Sequence, residues 1–320
     1  MNRFRHIHVL AIALGALLAL ASAASAAIET LYDNDTDGMV PGPRATDRNY
    51  TFGTRTAWYG RPGVVPRWSE HLLRAMGADR DLSQSRLSLA VGQELYTPDA
   101  ISNPRPIRND RPYAAWLYAG ATLSTASETR ARALELRLGM VGPDAHGQDV
   151  QTWWHQRNHI RLPRGWRYQL ANEPGLRATY DERWRPLGYR RLANLVPDAH
   201  VTLGNVLTEA GAGATLMLGL PLADDFGPGA LQGPEERVRG ARLYAFARGE
   251  GRAVAHDIFL DGNTFASSMR VHRVPFVVEA QLGCGARWRA LGVRYTFSYT
   301  SRQFRERNDY QEYGSVGVGF

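Results

Sequence analysis

An all-β fold, a transmembrane antiparallel β-barrel of about 12 strands with a short helix in an extracellular loop, is the class this sequence predicts. Three observations predict it. Segments of about ten residues alternate in polarity, aromatic residues gather near the segment ends, and the last strand closes on Phe320. Membrane barrels alternate lipid-facing and lumen-facing side chains and carry aromatic girdles at both interfaces.

The chain opens on a pattern of another kind. Arg3 and Arg5 precede an apolar run over 9–21, and Ala24, Ser25 and Ala26 are small residues suited to cleavage. This reads as a secretory signal over 1–26, with the barrel domain over 27–320. The run is shorter than the roughly 20 residues a spanning helix needs, and no later apolar stretch approaches that length.

Strands are predicted near 28–34, 49–60, 86–97, 112–127, 130–142, 175–184, 199–210, 213–222, 241–256, 272–289, 291–304 and 311–320. Within 86–96, Leu87, Leu89, Val91, Gln93 and Leu95 share one parity and Ser88, Ala90, Gly92, Glu94 and Tyr96 the other. Within 130–141, Leu134, Leu136, Leu138 and Met140 oppose Glu135, Arg137 and Gly139. A soluble sandwich also alternates. The aromatic residues Trp58, Tyr59, Trp116, Tyr118, Trp288, Tyr295 and Tyr299 and the terminal Phe320 favour the membrane barrel.

An even strand number puts both termini on one side, the periplasm, so the connections near 35–48, 98–111 and 143–174 face the cell exterior. The inner connection 61–85 is long for its side and is predicted to hold a short helix around residues 68–76.

Charge narrows the partner class. There are 38 basic against 31 acidic residues, and every basic one is an arginine. They are scattered, which argues against nucleic acid and suits phosphorylated sugars and anionic lipid headgroups. The single cysteine, Cys284, excludes an internal disulfide and reads as a packing residue.

Three polar clusters fall at outer strand ends: Asn34 and Asp35 with Asp37, then 47–51, then 147–159. The third reads as a short helix placing Gln148, Gln151 and His155 on one face, where an amide could orient an imidazole acting as general base on water. A surface histidine in an exposed loop fits the same residues. The run 33–38 starts like an EF-hand loop, but Arg44 stands where the bidentate glutamate belongs, so an EF-hand is rejected. A partial oxygen ligand set for calcium and a strand-end Asx turn both remain open there. His155 and His159 lack the intervening glutamate of the zinc-protease motif, which leaves zinc a minor option, and no serine elbow or phosphate loop is found.

The blocks Asn34-Asp35, Asp47-Arg48-Asn49-Tyr50-Thr51-Phe52-Gly53, Gly92-Gln93-Glu94-Leu95-Tyr96-Thr97-Pro98, Asp110-Arg111-Pro112-Tyr113-Ala114, Val141-Gly142-Pro143, Gly147-Gln148-Asp149-Val150-Gln151 and His155 follow one another in an order that resembles the lipid A deacylase family of LpxR type. The resemblance implies an outer-membrane barrel that removes the 3′-linked acyl chains of lipid A, the lipopolysaccharide anchor of the outer leaflet, by calcium-dependent ester hydrolysis. It carries Asn34, Asp35, Thr51, Gln151 and His155 over as active-site residues. Asp35 would help hold the cation, Gln151 would orient His155, and His155 would activate water. The family's active-site lysine has no counterpart here; Arg105 is the nearby cation, with Asn103 the residue that simple alignment offers. Its acidic residue after the helix is likewise unmatched in 160–162. A non-enzymatic barrel for transport or adhesion and an outer-membrane phospholipase are the competing readings.

Overall fold

Polarity alternation closes the chain on itself. In a computed structural model, which describes residues 25–35, 39, 47–185, 192–220, 226–227, 240–308 and 310–320, twelve strands form one closed antiparallel barrel. They are β1 (Ser25–Asn34), β2 (Asn49–Gly60), β3 (Ser85–Thr97), β4 (Ala114–Ala126), β5 (Arg130–Val141), β6 (Glu173–Trp184), β7 (Ala193–Leu203), β8 (Leu207–Leu220), β9 (Ala241–Asp257), β10 (Phe276–Trp288), β11 (Leu291–Thr300) and β12 (Gln311–Gly319). Each pairs with its sequence neighbours, and β1 closes on β12 from Glu29 opposite Gly319 to Asn34 opposite Gly314. The strand start at Ser25 and the strand end at Gly319 therefore share one rim. The apolar run at 9–21 lies outside the described residues.

The two parities separate as the pattern predicts. Leu136, Leu138, Leu176, Leu216, Leu218 and Leu282 are exposed on the outer wall. The interior is charged and cross-linked. The buried Glu135 accepts from Arg137 at 2.8 Å and pairs with Arg55 at 3.5 Å, while Arg137 also reaches Glu94 at 3.5 Å. Further round, Arg252 pairs with Glu279 at 3.1 Å, His200 with Glu250 at 3.0 Å, and Arg248 with Asp198. Such pairs tie strands together across the lumen and leave a cavity of about 230 Å³ lined by Glu94, Arg111, Arg252 and Glu279.

Among the described residues three α-helices lie in connections: α1 (Glu70–Ala75), α2 (Gly147–Arg157) and α3 (Ile258–Asp261). The α1 helix, preceded by a 3-10 turn over Arg67–Ser69, is the one predicted in the long 61–85 connection. The α3 turn was not anticipated. Asp257 caps it by accepting the Phe259 amide at 2.9 Å, and Ile258 and Phe259 pack with Trp116, Tyr118, Leu170 and Val206 across the barrel mouth at the rim away from the termini.

The seventh and eighth strands differ from expectation. The sequence predicts them at 199–210 and 213–222, where Pro197 falls before the first and the Gly- and Ala-rich stretch 210–214 spans their junction. The turn instead lies between Leu203 and Leu207, and β7 begins at Ala193. Proline is tolerated because pairing of β7 with β6 stops at Asp198, leaving Pro197 paired on the β8 side only.

Asn205 pins this turn to β6. Its side-chain oxygen accepts from Leu176 N at 2.8 Å, and its amide donates to Glu173 Oε1 and Pro174 O, each at 2.8 Å. Asn205→Ala should cost about 1–2 kcal/mol, seen as a lower temperature for the shift from the compact to the unfolded band on unboiled gels.

Candidate active site

The site begins with an irregularity in β2. Asn49 has φ +64°, in the left-handed region that asparagine tolerates better than most residues. Thr51 then falls at a register shift between β2 and β3, a bulge that re-aims the strand end. The Thr51 hydroxyl lies 2.6 Å from that of Thr97, which donates to the Asp47 carbonyl at 3.0 Å. With its proton committed there, Thr97 accepts from Thr51. Asp35, 1% exposed at the end of β1, accepts the Arg48 amide at 2.7 Å. The strand ends carrying Asp35, Asp47 and Thr51 are thus laced together by hydrogen bonds.

Above them lies α2. Gly142 begins its approach with φ +102°, where a Cβ would also meet Ala171 O at 2.6 Å. Gly147, the first helical residue, lies so close to the barrel that a Cβ would be 2.4 Å from Ala115 Cβ and 2.8 Å from the Trp166 ring. Ala115 and Trp166 cluster with Leu95, Ile101, Tyr113 and Ala145, and with Phe52 and Leu117 at the margin. Leu95 shares parity with Leu87, Leu89 and Val91, and Phe52 and Ala115 pair with it directly. Directly opposed residues share a face, so α2 and the segment after it dock on the outside of the wall, over the far ends of β2–β4. Tyr32 joins this face, its ring 5.5 Å from Phe52 and 6.4 Å from Trp154.

His155, 1% exposed, is gripped at both nitrogens. Nδ1 lies 2.6 Å from the Arg161 carbonyl and Nε2 3.4 Å from Asp47 Oδ1. A carbonyl only accepts, so Nδ1 carries the proton of the neutral ring and Nε2 is left as the base. Burial disfavours the imidazolium, but the hydrogen bond to Asp47, helped by the Arg161 carbonyl, outweighs it and holds the pKa above the ordinary histidine value.

The predicted site residues divide as follows. Asn34, Asp35, Thr51, Gln151 and His155 all reach this rim, with Asn34 donating to the Tyr32 hydroxyl at 3.1 Å. Gln151 does not orient His155: its oxygen accepts from Trp166 Nε1 at 2.7 Å, and its buried Nε2 has no partner among the described residues. The carbonyl of Arg161, in the stretch lacking the expected acid, holds the imidazole instead. Arg105 is exposed on the loop between β3 and β4, its amide donating to Asn103 Oδ1 at 3.0 Å, and no hydrogen bond or ion pair among the described residues joins it to His155 or Asp35. Asp37 lies outside the described residues. Asp47 was in a cluster marked by sequence, yet nothing there singled it out as the partner of a residue 108 positions later; the backbone role of Arg161 leaves no sequence signal.

A calcium ion would find hard oxygen donors here, the buried Asp35 carboxylate and the Asn34 amide oxygen, which fits its ligand preference in kind. No group of three carboxylate, histidine or thiol side chains gathers for a metal among the described residues. Backbone carbonyls, substrate and water would therefore supply the rest of a shell. Trp153, Trp154, Ile160 and Leu162 are exposed beside His155, an apolar approach to the site from the outer wall.

A family model described as "Outer membrane protein LpxR" matches residues 8–320. Among solved structures, LpxR from Salmonella typhimurium superposes with a TM-score of 0.74 at 22% identity, over 92% of this chain and 99% of that one. The β domain of the Bordetella autotransporter BrkA matches at 12% identity and a TM-score of 0.42, over 93% of this chain and 99% of that one. No curated protein sequence matches the chain.

Proposed function

This chain belongs to the LpxR family of outer membrane proteins, and from that premise we propose that it is a lipid A 3′-O-deacylase. The observation that carries the reading is the buried His155, fixed with Nε2 as its basic atom on the outer wall of the barrel. A site on that face opens toward the leaflet in which lipid A resides, and the exposed Trp153, Trp154, Ile160 and Leu162 would meet its acyl chains. The lumen, crossed by ion pairs and narrowed at its mouth by Ile258 and Phe259, disfavours transport.

His155 Nε2 takes a proton from water as the water oxygen attacks the ester carbonyl. The acyl–oxygen bond then breaks, releasing the fatty acid, and the proton passes to the sugar oxygen. Asp47 stabilises the imidazolium formed between these steps, and the Thr51–Thr97 hydroxyl pair holds Asp47 in place. The free Nε2 of Gln151 is a donor for the developing oxyanion. Calcium at Asp35 and Asn34 would supply Lewis-acid stabilisation of that oxygen when bound.

Expression in a host with hexa-acylated lipid A should yield lipid A lighter by the 3′ acyloxyacyl group in mass spectra. Unchanged lipid A sinks the proposal, and cleavage of glycerophospholipid in its place would mark a phospholipase. Chelation should abolish the activity and added calcium restore it; full activity after exhaustive chelation removes calcium from the mechanism.

The raised pKa of His155 gives a pH prediction. The base must be unprotonated, so activity falls as pH drops through a value above that of an ordinary histidine. Asp47→Asn removes the anion that favours the imidazolium and should shift this acid limb to lower pH. A limb that stays in place would show that Asp47 does not act on His155.

A further inference from the structure

The connection between β2 and β3 docks on the same wall as α2, at the opposite rim. Leu73 of α1 and Leu82 pack with Leu123 of β4, with Leu87 of β3 at the margin. Leu87 and Leu123 are opposed on the lipid-facing parity. Arg132 of β5 donates to the Met76 carbonyl at 2.7 Å and ties the helix end to the wall. Ser69, Leu73 and Met76 point inward at helical spacing.

The neighbouring stripe, Trp68 and Leu72, is apolar and exposed, Trp68 at 69%, with Val64 beside it at 63%. Arg67, His71 and Arg74 occupy the face turned away from the buried stripe, and all three are exposed. A tryptophan so exposed is out of place in water but suits a bilayer interface, where its ring lies among headgroups.

The height agrees. Along β3, α1 docks at Leu87 and the α2 cluster at Leu95, eight residues apart. At about 3.3 Å per residue and a barrel tilt of about 40°, the vertical separation is about 20 Å, close to the apolar band of an outer-membrane barrel. The α1 segment therefore lies at the level of the inner-leaflet interface.

We propose that residues 64–74 are a phospholipid-docking surface, with Val64, Trp68 and Leu72 entering the inner leaflet of the outer membrane while Arg67 and Arg74 meet lipid phosphates. The apolar stripe continues the wall that already faces lipid, and the arginines complement anionic headgroups. The surface is independent of the deacylase site at the other rim.

The test uses the full-length protein with Cys284→Ser, carrying Trp68→Cys labelled with an environment-sensitive fluorophore, in vesicles of phosphatidylethanolamine and phosphatidylglycerol. Nitroxide placed near the headgroup of the phospholipid should quench the label strongly. Aqueous iodide should quench it several-fold less than the same label at Asn109→Cys, an exposed position in the β3–β4 loop. Strong iodide quenching with none from the lipid nitroxide would overturn the proposal, leaving a periplasmic surface bare or open to a soluble partner.

Discussion

His155→Ala should leave a fully folded barrel that no longer deacylates lipid A. The expected loss is about 10²- to 10⁴-fold, the range for removing a positioned general base. The barrel should be unaffected because α2 lies outside the strand ladders: Gly147 meets Ala115 and Trp166, Gln151 accepts from Trp166, and Trp154 lies against Tyr32, while no inter-strand pairing passes through the helix. The measurement is the rate of fatty-acid release from purified hexa-acylated lipid A in detergent, beside the heat-modifiable gel shift that reports a folded barrel. If the variant releases 3′ chains at a rate within tenfold of the parent, a margin well below the general-base range, His155 is not the base.

Gly147→Val should be nearly as damaging without touching any polar group of the site. The glycine lies against Ala115 Cβ and the Trp166 ring at distances no side chain can share. Neither neighbour can retreat. Ala115 belongs to a strand paired on both sides, and Trp166 is buried with its indole N–H donated to Gln151. The helix start must lift, and His155, two helical turns further on, moves with it. A displacement near 1 Å at a reacting group costs about 10²-fold. Activity should fall by about that factor, with less loss for Gly147→Ala and an unchanged gel shift for both. A Gly147→Val enzyme of parental activity would mean that close docking of α2 is not needed for catalysis.

Strand existence was readable because the barrel imposes a period of two on every spanning segment, and ten of the twelve strands lie within a few residues of their predicted places. The exceptions, β7 and β8, carry signals that local rules read as breakers. Pro197 is accommodated by the absence of a β6 partner at its position, and the glycines at 211 and 213 lie inside β8 rather than in a turn. Whether a proline or glycine breaks a strand depends on its neighbours across the sheet.

The site was legible as a set of residue types and less so as a set of contacts. Asn34, Asp35, Thr51, Gln151 and His155 could be named from ordered motifs, since each motif is local. Their partners could not. Asp47 meets His155 only because the residues just before β2 and α2 lie over the same strand ends, and Gln151 is turned to Trp166 by packing against the wall. Gln93, which by parity belongs with the lipid-facing leucines, instead donates to Ala145 O at 2.6 Å and helps hold the helix entrance.

By itself the sequence determined the barrel, its strand number to within the placement of two strands, the α1 and α2 helices and the chemistry available at one rim. All of these follow from short-range periodicity and residue type. The tertiary structure alone decided that the candidate site lies on the lipid side of the wall rather than in the lumen, that Arg161 and Asp47 hold His155, and that ion pairs cross-link the lumen. The reason is physical: alternation states that two faces differ, but which face receives a loop depends on how that loop packs across strands distant in sequence.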